Sequence, residues 1–386
     1  MRWMFLHYAY EERIRPDVGG LRKLWELAAA LQGQGHEVLV LYPKLPGFVP
    51  LRAVPARPYP VIDRHTLRPL SAYAAMFLTA IRAGRRARPD VVYFRSGENV
   101  LPPLIGRCLR ARTVLEVNGD AHDFFRREGA RRRASIIASA ERLNARRSDL
   151  IVALTPGLKQ SLVKRYGIVP GKIHVIPSGT DPEHFAPGDA AALKARLGIN
   201  AESPVVGFVG LFYRHQGVQT LLRAAPEMLR IFPTLRLLIV GDGLMRGRWE
   251  ALAADLDVKD VAQFTGQVPY DVVPEYLRAM DLLATPFTAD YREASPFKVL
   301  DALASARPVV SSDLPWMRNI RDVAGDAVTL VTPDDPKALA NGIIELLSDP
   351  ARRTQLGQQG RSAIEWRFSW SAVAAALAGA VAATPW

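Results

Sequence analysis

The chain has 386 residues, 49% of them hydrophobic, and a formal net charge of +12. That length predicts two domains of ordinary size, each with its own core. A single cysteine, Cys108, excludes an intramolecular disulfide framework and a cysteine-rich metal site. No apolar run reaches the ~18 uncharged residues of a membrane-spanning helix, and the first eight residues are too short an apolar stretch for a signal peptide.

The charge is uneven. Residues 1–175 carry 30 Lys+Arg against 14 Asp+Glu, net +16, and the remainder is net −4. A basic N-terminal part calls for an acidic partner, such as anionic lipid head groups, a phosphorylated acceptor or nucleic acid. An arginine-rich coding bias accounts for the same excess. No base-stacking aromatics interleave with the arginines, so nucleic acid is not expected.

Residues 3–7 read as an apolar strand. The loop 9–20 ends in Gly19-Gly20, and a helix over 21–32 and a strand over 36–41 complete a βαβ unit. Paired glycines at such a turn let the backbone approach a ligand, although a tight turn alone asks for the same residues. Residues 43–70, rich in proline and arginine, read as irregular. A helix over 71–87 and strands over 89–94 and 112–117 follow, the last opening into a loop that holds Asn118, Asp120 and His122. An arginine-rich helix over 126–147, a strand over 150–154, a helix over 156–166 and a strand over 172–176 continue the alternation. The first half is therefore a doubly wound parallel α/β domain.

Residues 177–188 are dense in turn formers and read as the interdomain junction. A second alternating series follows, with strands at 204–210, 235–240, 261–264, 281–286, 308–311 and 327–331. An alanine-rich helix at 369–383 ends the series. Ligands of open parallel sheets bind at the carboxyl ends of the strands, which directs attention to the polar turns there.

One such turn leads into the segment Tyr291–Val310. Ser295 is a good N-cap and Pro296 a good first helical residue. Apolar residues at 297, 300, 303 and 304 continue the helix to Ala306. Lys298 falls in the first turn, where a cation opposes the helix dipole. Its place makes sense if an anion such as a diphosphate docks there. Glu293 and Asp301 flank that position and are suited to accept hydrogen bonds from sugar hydroxyls. A capped surface helix with a Lys298–Asp301 pair at i, i+3 explains the same residues.

In order, the strings Leu238-Ile-Val-Gly-Asp-Gly-Leu, Phe264-Thr-Gly-Gln-Val, Tyr276-Leu-Arg-Ala-Met-Asp-Leu-Leu-Ala-Thr-Pro, Glu293 with Asp301, and Ala306-Arg-Pro-Val-Val resemble the retaining glycosyltransferases of the GT-B fold, family 4 type. Val175-Ile-Pro-Ser-Gly-Thr-Asp-Pro-Glu-His-Phe resembles that family's interdomain segment. The resemblance implies two Rossmann-like domains facing across a cleft. Residues 1–176, with the helix 369–386 packing back, would bind the acceptor; 177–188 would be the linker; and 189–368 would bind the nucleotide sugar. It implies that Glu293 holds donor-sugar hydroxyls and that Asp301 holds ribose, one methylene shorter than the glutamate usual there. Ser295, Pro296, Phe297 and Lys298 resemble the variant in which the turn and lysine hold the diphosphate.

Gly210–Gly217 resembles the family's phosphate loop, with Gln216 where a lysine is usual and Arg214 as the remaining cation. The resemblance further places Gly241 and Gly243 near the diphosphate or base, and Gln267 and Val268 beside the base. Gly19 and Gly20 would approach sugar and phosphate. His122, with Asn118 beside it, would lie near the anomeric carbon. The implied reaction moves a sugar from a UDP- or GDP-type donor to a hydroxyl of a glycan, lipid-linked or small-molecule acceptor, with retention. Glu293, His122, Arg214 and Lys298 would be its catalytic groups. No cofactor and no metal are expected, the nucleotide sugar being a co-substrate. A cytoplasmic location with peripheral contact to anionic membrane is the expected setting, in polysaccharide or glycolipid synthesis. A non-catalytic nucleotide-sugar or polyanion binder on the same fold is the alternative.

Overall fold

The computed structural model describes residues 1–7, 19–45, 50–62, 64, 67–120, 122, 125–126, 129–291 and 296–384. They fall into two compact units. One holds Met1–Ser178 and the segment from Trp370 onward; the other holds Gly179–Arg292 and Pro296–Ser369.

In the first unit, β1 (Arg2–Leu6), β2 (Glu37–Lys44), β3 (Ala56–Pro60), β4 (Val91–Arg95), β5 (Arg112–Val117), β6 (Leu150–Ala153) and β7 (Ile173–Val175) form a parallel sheet ordered β3-β2-β1-β4-β5-β6-β7. Around it lie α1 (Gly19–Gly33), α2 (Arg68–Ala87), α3 (Pro102–Leu109), α4 (Arg131–Arg147), α5 (Pro156–Tyr166) and a terminal helix, Trp370–Ala383. Strand β1 is apolar on both faces because both are covered. Trp3 and Phe5 pack with Leu24, Trp25 and Ala28 of α1 and with Val373 and Leu377 of the terminal helix. Met4 and Leu6 pack with Ala72, Met76 and Ala80 of α2. The Gln34 amide donates to the Ser371 carbonyl at 2.7 Å, fastening α1 to the terminal helix.

Two local expectations change. Residues 43–70 are not wholly irregular, since β3 lies among them. It carries Pro58 and Pro60 at the edge of the sheet, where a strand tolerates a missing N–H. Helix α4 starts at Arg131 and not at 126, because Gly129 takes φ +77° and interrupts the helical path.

The second unit has β8 (Val205–Val209), β9 (Arg236–Val240), β10 (Ala262–Gly266), β11 (Leu282–Thr285), β12 (Val309–Ser312) and β13 (Val328–Val331). Its parallel sheet is ordered β10-β9-β8-β11-β12-β13. The helices are α6 (Ala191–Arg196), α7 (Val218–Ile231), α8 (Arg246–Asp255), α9 (Val273–Ala279), α10 (Phe297–Ala304), α11 (Pro315–Ala324), α12 (Pro336–Ser348) and α13 (Pro350–Ala363). Val206, Phe208, Leu237 and Ile239 pack with Leu221, Leu222 and Ala225 of α7 and with Leu339 and Ile343 of α12. Each such large side chain is worth about 1.5–3 kcal/mol of burial. Helix α13 escapes a periodicity reading because it is polar nearly all round, burying only Leu356, Gly357, Gly360 and Ala363. Strand order reverses between β1 and β4, and again between β8 and β11. At such a point adjacent loops diverge and leave room for a ligand.

Candidate functional site

Beyond the carboxyl ends of β8, β9 and β10 the backbone is stitched into three linked turns. Gly210 N donates to Val240 O at 2.9 Å, Phe212 N to Asp242 O at 2.9 Å, and Gly241 N to Gly266 O at 3.1 Å. Gly210, Gly241 and Gly243 have φ of +146°, +133° and +151°. A Cβ on Gly241 would overlap the Gly210 carbonyl, and one on Gly210 would fall on the Lys298 ammonium. Only glycine fits both the torsions and the space. Phe212 anchors the turn from below, its ring 4.9 Å from that of Trp249. Asp242 serves the turn itself, accepting from Gly243 N at 2.7 Å and pairing with Arg246 at 3.1 Å.

Lys298 enters this ring of turns from the first turn of α10. Pro296 is extended (φ −81°, ψ 94°) and precedes the helix instead of opening it. At the other end, Ala306 with φ +54° lies beyond the helix, which stops at Ala304. The Lys298 amine donates to Gln216 Oε1 at 2.5 Å and sits 4.3 Å from the centre of the Phe208 ring. Burial pushes its pKa down to about 7. The pair with Asp301 does not form. Asp301 is buried and accepts from the Thr180 hydroxyl at 2.6 Å.

Arg214 does not join Lys298. Its side chain is 72% exposed and pairs with Asp290 at 2.9 Å. Residues Arg214–Gln216 form a 3₁₀ turn, in which successive side chains diverge by about 120°. When Gln216 faces Lys298, Arg214 faces elsewhere. His215 stacks between Tyr213 (5.7 Å) and Tyr291 (4.2 Å). Burial, with Lys298 nearby, pushes the His215 pKa down to about 4, so the ring is neutral at neutral pH. After β10, Gln267 is exposed and Val268 half-buried; Pro296 is buried and Phe297 half-buried. Glu293 and Ser295 lie outside the described residues.

The remaining candidates belong to the first unit. Gly19 and Gly20 form the first turn of α1 instead of ending the preceding loop. One turn later, Lys23 pairs with Glu116 at 3.0 Å in the interior, and Arg95 approaches the other Glu116 oxygen at 3.5 Å. The Tyr93 hydroxyl also donates to Glu116. Burial alone would raise the Glu116 pKa, but Lys23 and Arg95 outweigh it and hold the carboxyl below its usual range. Beside them, burial and Arg95 push the His7 pKa down to about 3. Asn118 and His122 are half-buried, and His122 Nδ1 is enclosed with no hydrogen-bond partner among the described residues. Asp120 is held by Arg165 through two 2.7 Å bonds.

The structure thus brings Gly210, Gly241 and Lys298 together and leaves Arg214 apart. Sequence reasoning missed His215, Tyr291, Lys23 and Arg95, and treated Gln216 only as a substitution. Glu116 had a signal, a carboxylate inside an apolar strand, which must find a partner.

Residues 19–184 match the family described as Glycosyltransferase Family 4, and residues 189–363 match Glycosyl transferases group 1. The D-inositol 3-phosphate glycosyltransferase of Kineococcus radiotolerans is 33% identical over 246 residues, 59% of this chain and 56% of that protein. The chain therefore spans little more than half the length of that relative. The protein of the same name from Thermobispora bispora is 28% identical over 393 residues, 94% of this chain and 89% of that one. Anabaena Alr3699/HepE in complex with UDP matches in fold with a TM-score of 0.77, at 18% identity, over 99% of this chain and 100% of that chain. Among the described residues no helix is long and apolar enough to cross a membrane. With two doubly wound parallel sheets and both halves matched, the chain belongs to the GT-B glycosyltransferases of the family 4 type.

Proposed function

We propose that this chain is a retaining glycosyltransferase that takes a sugar from a UDP- or GDP-type donor without a divalent metal. The observation that carries the reading is Lys298. A half-buried lysine, with no carboxylate in ion-pair contact among the described residues and held over three glycine turns, suits an incoming dianion. In this reading the diphosphate docks against Lys298 and the start of α10, and Gln267 and Val268 flank the base. Asp301 holds the ribose, Glu293 the donor sugar, and His122 the region of the anomeric carbon. As the C1–O bond breaks, charge grows on the leaving diphosphate, and Lys298 and the helix terminus stabilise it where a metal would otherwise act. The acceptor hydroxyl attacks from the face the diphosphate leaves and passes its proton to a phosphate oxygen. Arg214 would have to leave Asp290 to assist.

Relatives named D-inositol 3-phosphate glycosyltransferase support a small phosphorylated polyol as one acceptor to try, beside glycans and lipid-linked sugars. Thermal-shift screening of UDP- and GDP-sugars, then product analysis at the anomeric carbon in EDTA, tests the proposal. Inverted product, or turnover only with added metal, would reject the mechanism. The second reading, a non-catalytic binder, is favoured by Arg214 pairing with Asp290 and by Asp301 engaging Thr180. Selective binding of a nucleotide sugar with no transfer to any acceptor, and no hydrolysis, would support it.

The first unit supplies a surface for an anionic membrane. Helix α2 packs on α3, and α3 on α4. Along α2 the exposed positions are Leu70, Ala74, Leu78, Arg82, Arg85 and Arg86. Leu104 of α3 and Ile136 of α4 are also exposed, and α4 adds Arg131, Arg132 and Arg133. The one acidic residue in these three helices, Glu141, is buried. Apolar side chains amid arginines fit an anionic interface. Cosedimentation with phosphatidylglycerol vesicles, lost on Arg82→Gln/Arg86→Gln and on Leu70→Ser/Leu78→Ser, is expected. Equal binding to neutral vesicles would reject the assignment.

A further inference from the structure

Gln216 stands where the family's phosphate loop usually carries a lysine, and the lysine of this site comes instead from α10. Among the described residues, the surroundings of the Lys298 amine are almost free of charge. From β8 and the turn after it come Phe208 and Gly210, and from the segment after β11 comes Phe287, 5.6 Å away. The 3₁₀ turn offers the neutral His215 ring and the Gln216 amide oxygen, while Arg214 and Asp290 are paired with each other at the surface. On α10 itself, Asp301 is engaged by Thr180. Among the described residues no carboxylate lies within ion-pair distance of Lys298. An amide oxygen accepts a hydrogen bond from an amine whether or not the amine is charged, so Gln216 fixes its position without fixing its charge.

We propose that Gln216 is the positioning residue of Lys298, and that the pair makes donor binding proton-coupled: the amine takes up a proton as the nucleotide sugar docks. This rests on the reading that Lys298 meets the diphosphate. The balance is simple. One proton moves from solvent or buffer to Nζ, an N–H bond forming as the donor acid's bond to that proton breaks, no heavy-atom bond changes, and the bound dianion keeps the ammonium charged. A lysine at 216 would place a second cation against Lys298. A glutamate would form a standing ion pair and remove the proton uptake.

Two measurements test the proposal. The first needs no ligand. In protein labelled with ¹³Cε-lysine, the resonance absent from Lys298→Met is followed against pH. It is expected to titrate near neutrality in the wild type and to move upward by at least about one unit in Gln216→Glu. A wild-type midpoint near that of ordinary lysines overturns the proposal.

The second is calorimetry of UDP-glucose and GDP-mannose at pH 7.5 in phosphate and in Tris, which differ in protonation enthalpy. Neither sugar nucleotide titrates in that range, so any proton taken up belongs to the protein. About 0.7 proton per bound nucleotide sugar is expected for the wild type, and close to none for Gln216→Glu with binding about tenfold weaker. Gln216→Met, which removes the tether and leaves the amine unpaired, is expected to retain uptake while binding weakens ~3–10-fold. Tight binding with no uptake in the wild type overturns the proposal and leaves the donor reading standing. If neither nucleotide sugar binds, the donor reading falls, and the lysine titration still decides whether Gln216 holds an uncharged amine.

Discussion

Thr180 Oγ1 donates to Asp301 Oδ1 at 2.6 Å across 121 residues of sequence. It ties the stretch that opens the second unit to the helix that carries Lys298. Both residues are buried, so the bond also sets which way that carboxylate faces. Thr180→Val is expected to lower stability by about 1 kcal/mol, seen as a lower urea midpoint with unchanged slope. Asp301→Ala should cost more, by stranding the Thr180 hydroxyl, and should also weaken nucleotide binding. Unchanged nucleotide affinity in Asp301→Ala would remove the ribose role.

Lys298 should make stability depend on pH in a defined direction. Its folded pKa, about 7, lies below the ordinary 10.5. The folded state therefore holds fewer protons than the unfolded state between those values, and stability rises with pH across that window. The penalty is fully present below pH 7 and disappears towards 10.5. Lys298→Met is expected to raise the Tm by roughly 3–6 °C at pH 6, less at pH 9, while abolishing nucleotide-induced stabilisation. A Tm difference that does not change with pH would contradict this.

Gly210→Ala adds one methyl group where the backbone has φ +146° and the Lys298 amine already lies. A loss of about 1–3 kcal/mol is expected, with nucleotide affinity falling at least ~10-fold through displacement of the amine. Binding equal to wild type would show that the amine does not need that space.

Glu116→Gln tests the buried network of the first unit. Lys23 would stay buried but lose its counter-ion, at a cost of about 3–5 kcal/mol. The pH dependence has the same sense as that of Lys298, stability rising with pH, but in the acid range. The Glu116 pKa is held down in the folded state, so its contribution is present above the ordinary carboxylate value and fades as pH falls through the folded one. Acid unfolding of the wild type and of Glu116→Gln should converge at low pH; parallel curves would assign the stability elsewhere.

Much of this was legible in the sequence for local reasons. The glycines at 210, 241 and 243 follow strands, and positive torsions leave few other choices. Lys298 drew notice because a cation in a first helical turn needs a reason. What local pattern does not carry is direction across a turn. Arg214 and Gln216 sit two residues apart, and only the 3₁₀ geometry decides which one meets Lys298. Nor does it carry partners distant in sequence: Glu116 advertised a need, and Lys23 answers it from α1. Strand β3 hid for a third reason, since its prolines argue against any strand but one at an edge.

The terminal helix has a consequence for how the molecule is made. It packs with Trp25, Leu24 and Ala28 of α1, so the second unit is, in chain order, an insertion within the first. During synthesis the inserted unit is complete before the helix that closes its host has been translated. Domains fold as units while the chain emerges, and here the earlier-begun unit finishes last, holding an open apolar groove on α1 in the meantime. A stop codon at 369 would leave a well-formed second unit attached to a first unit that cannot seal itself. That truncation should appear as aggregation and chaperone retention rather than as loss of the second unit's fold.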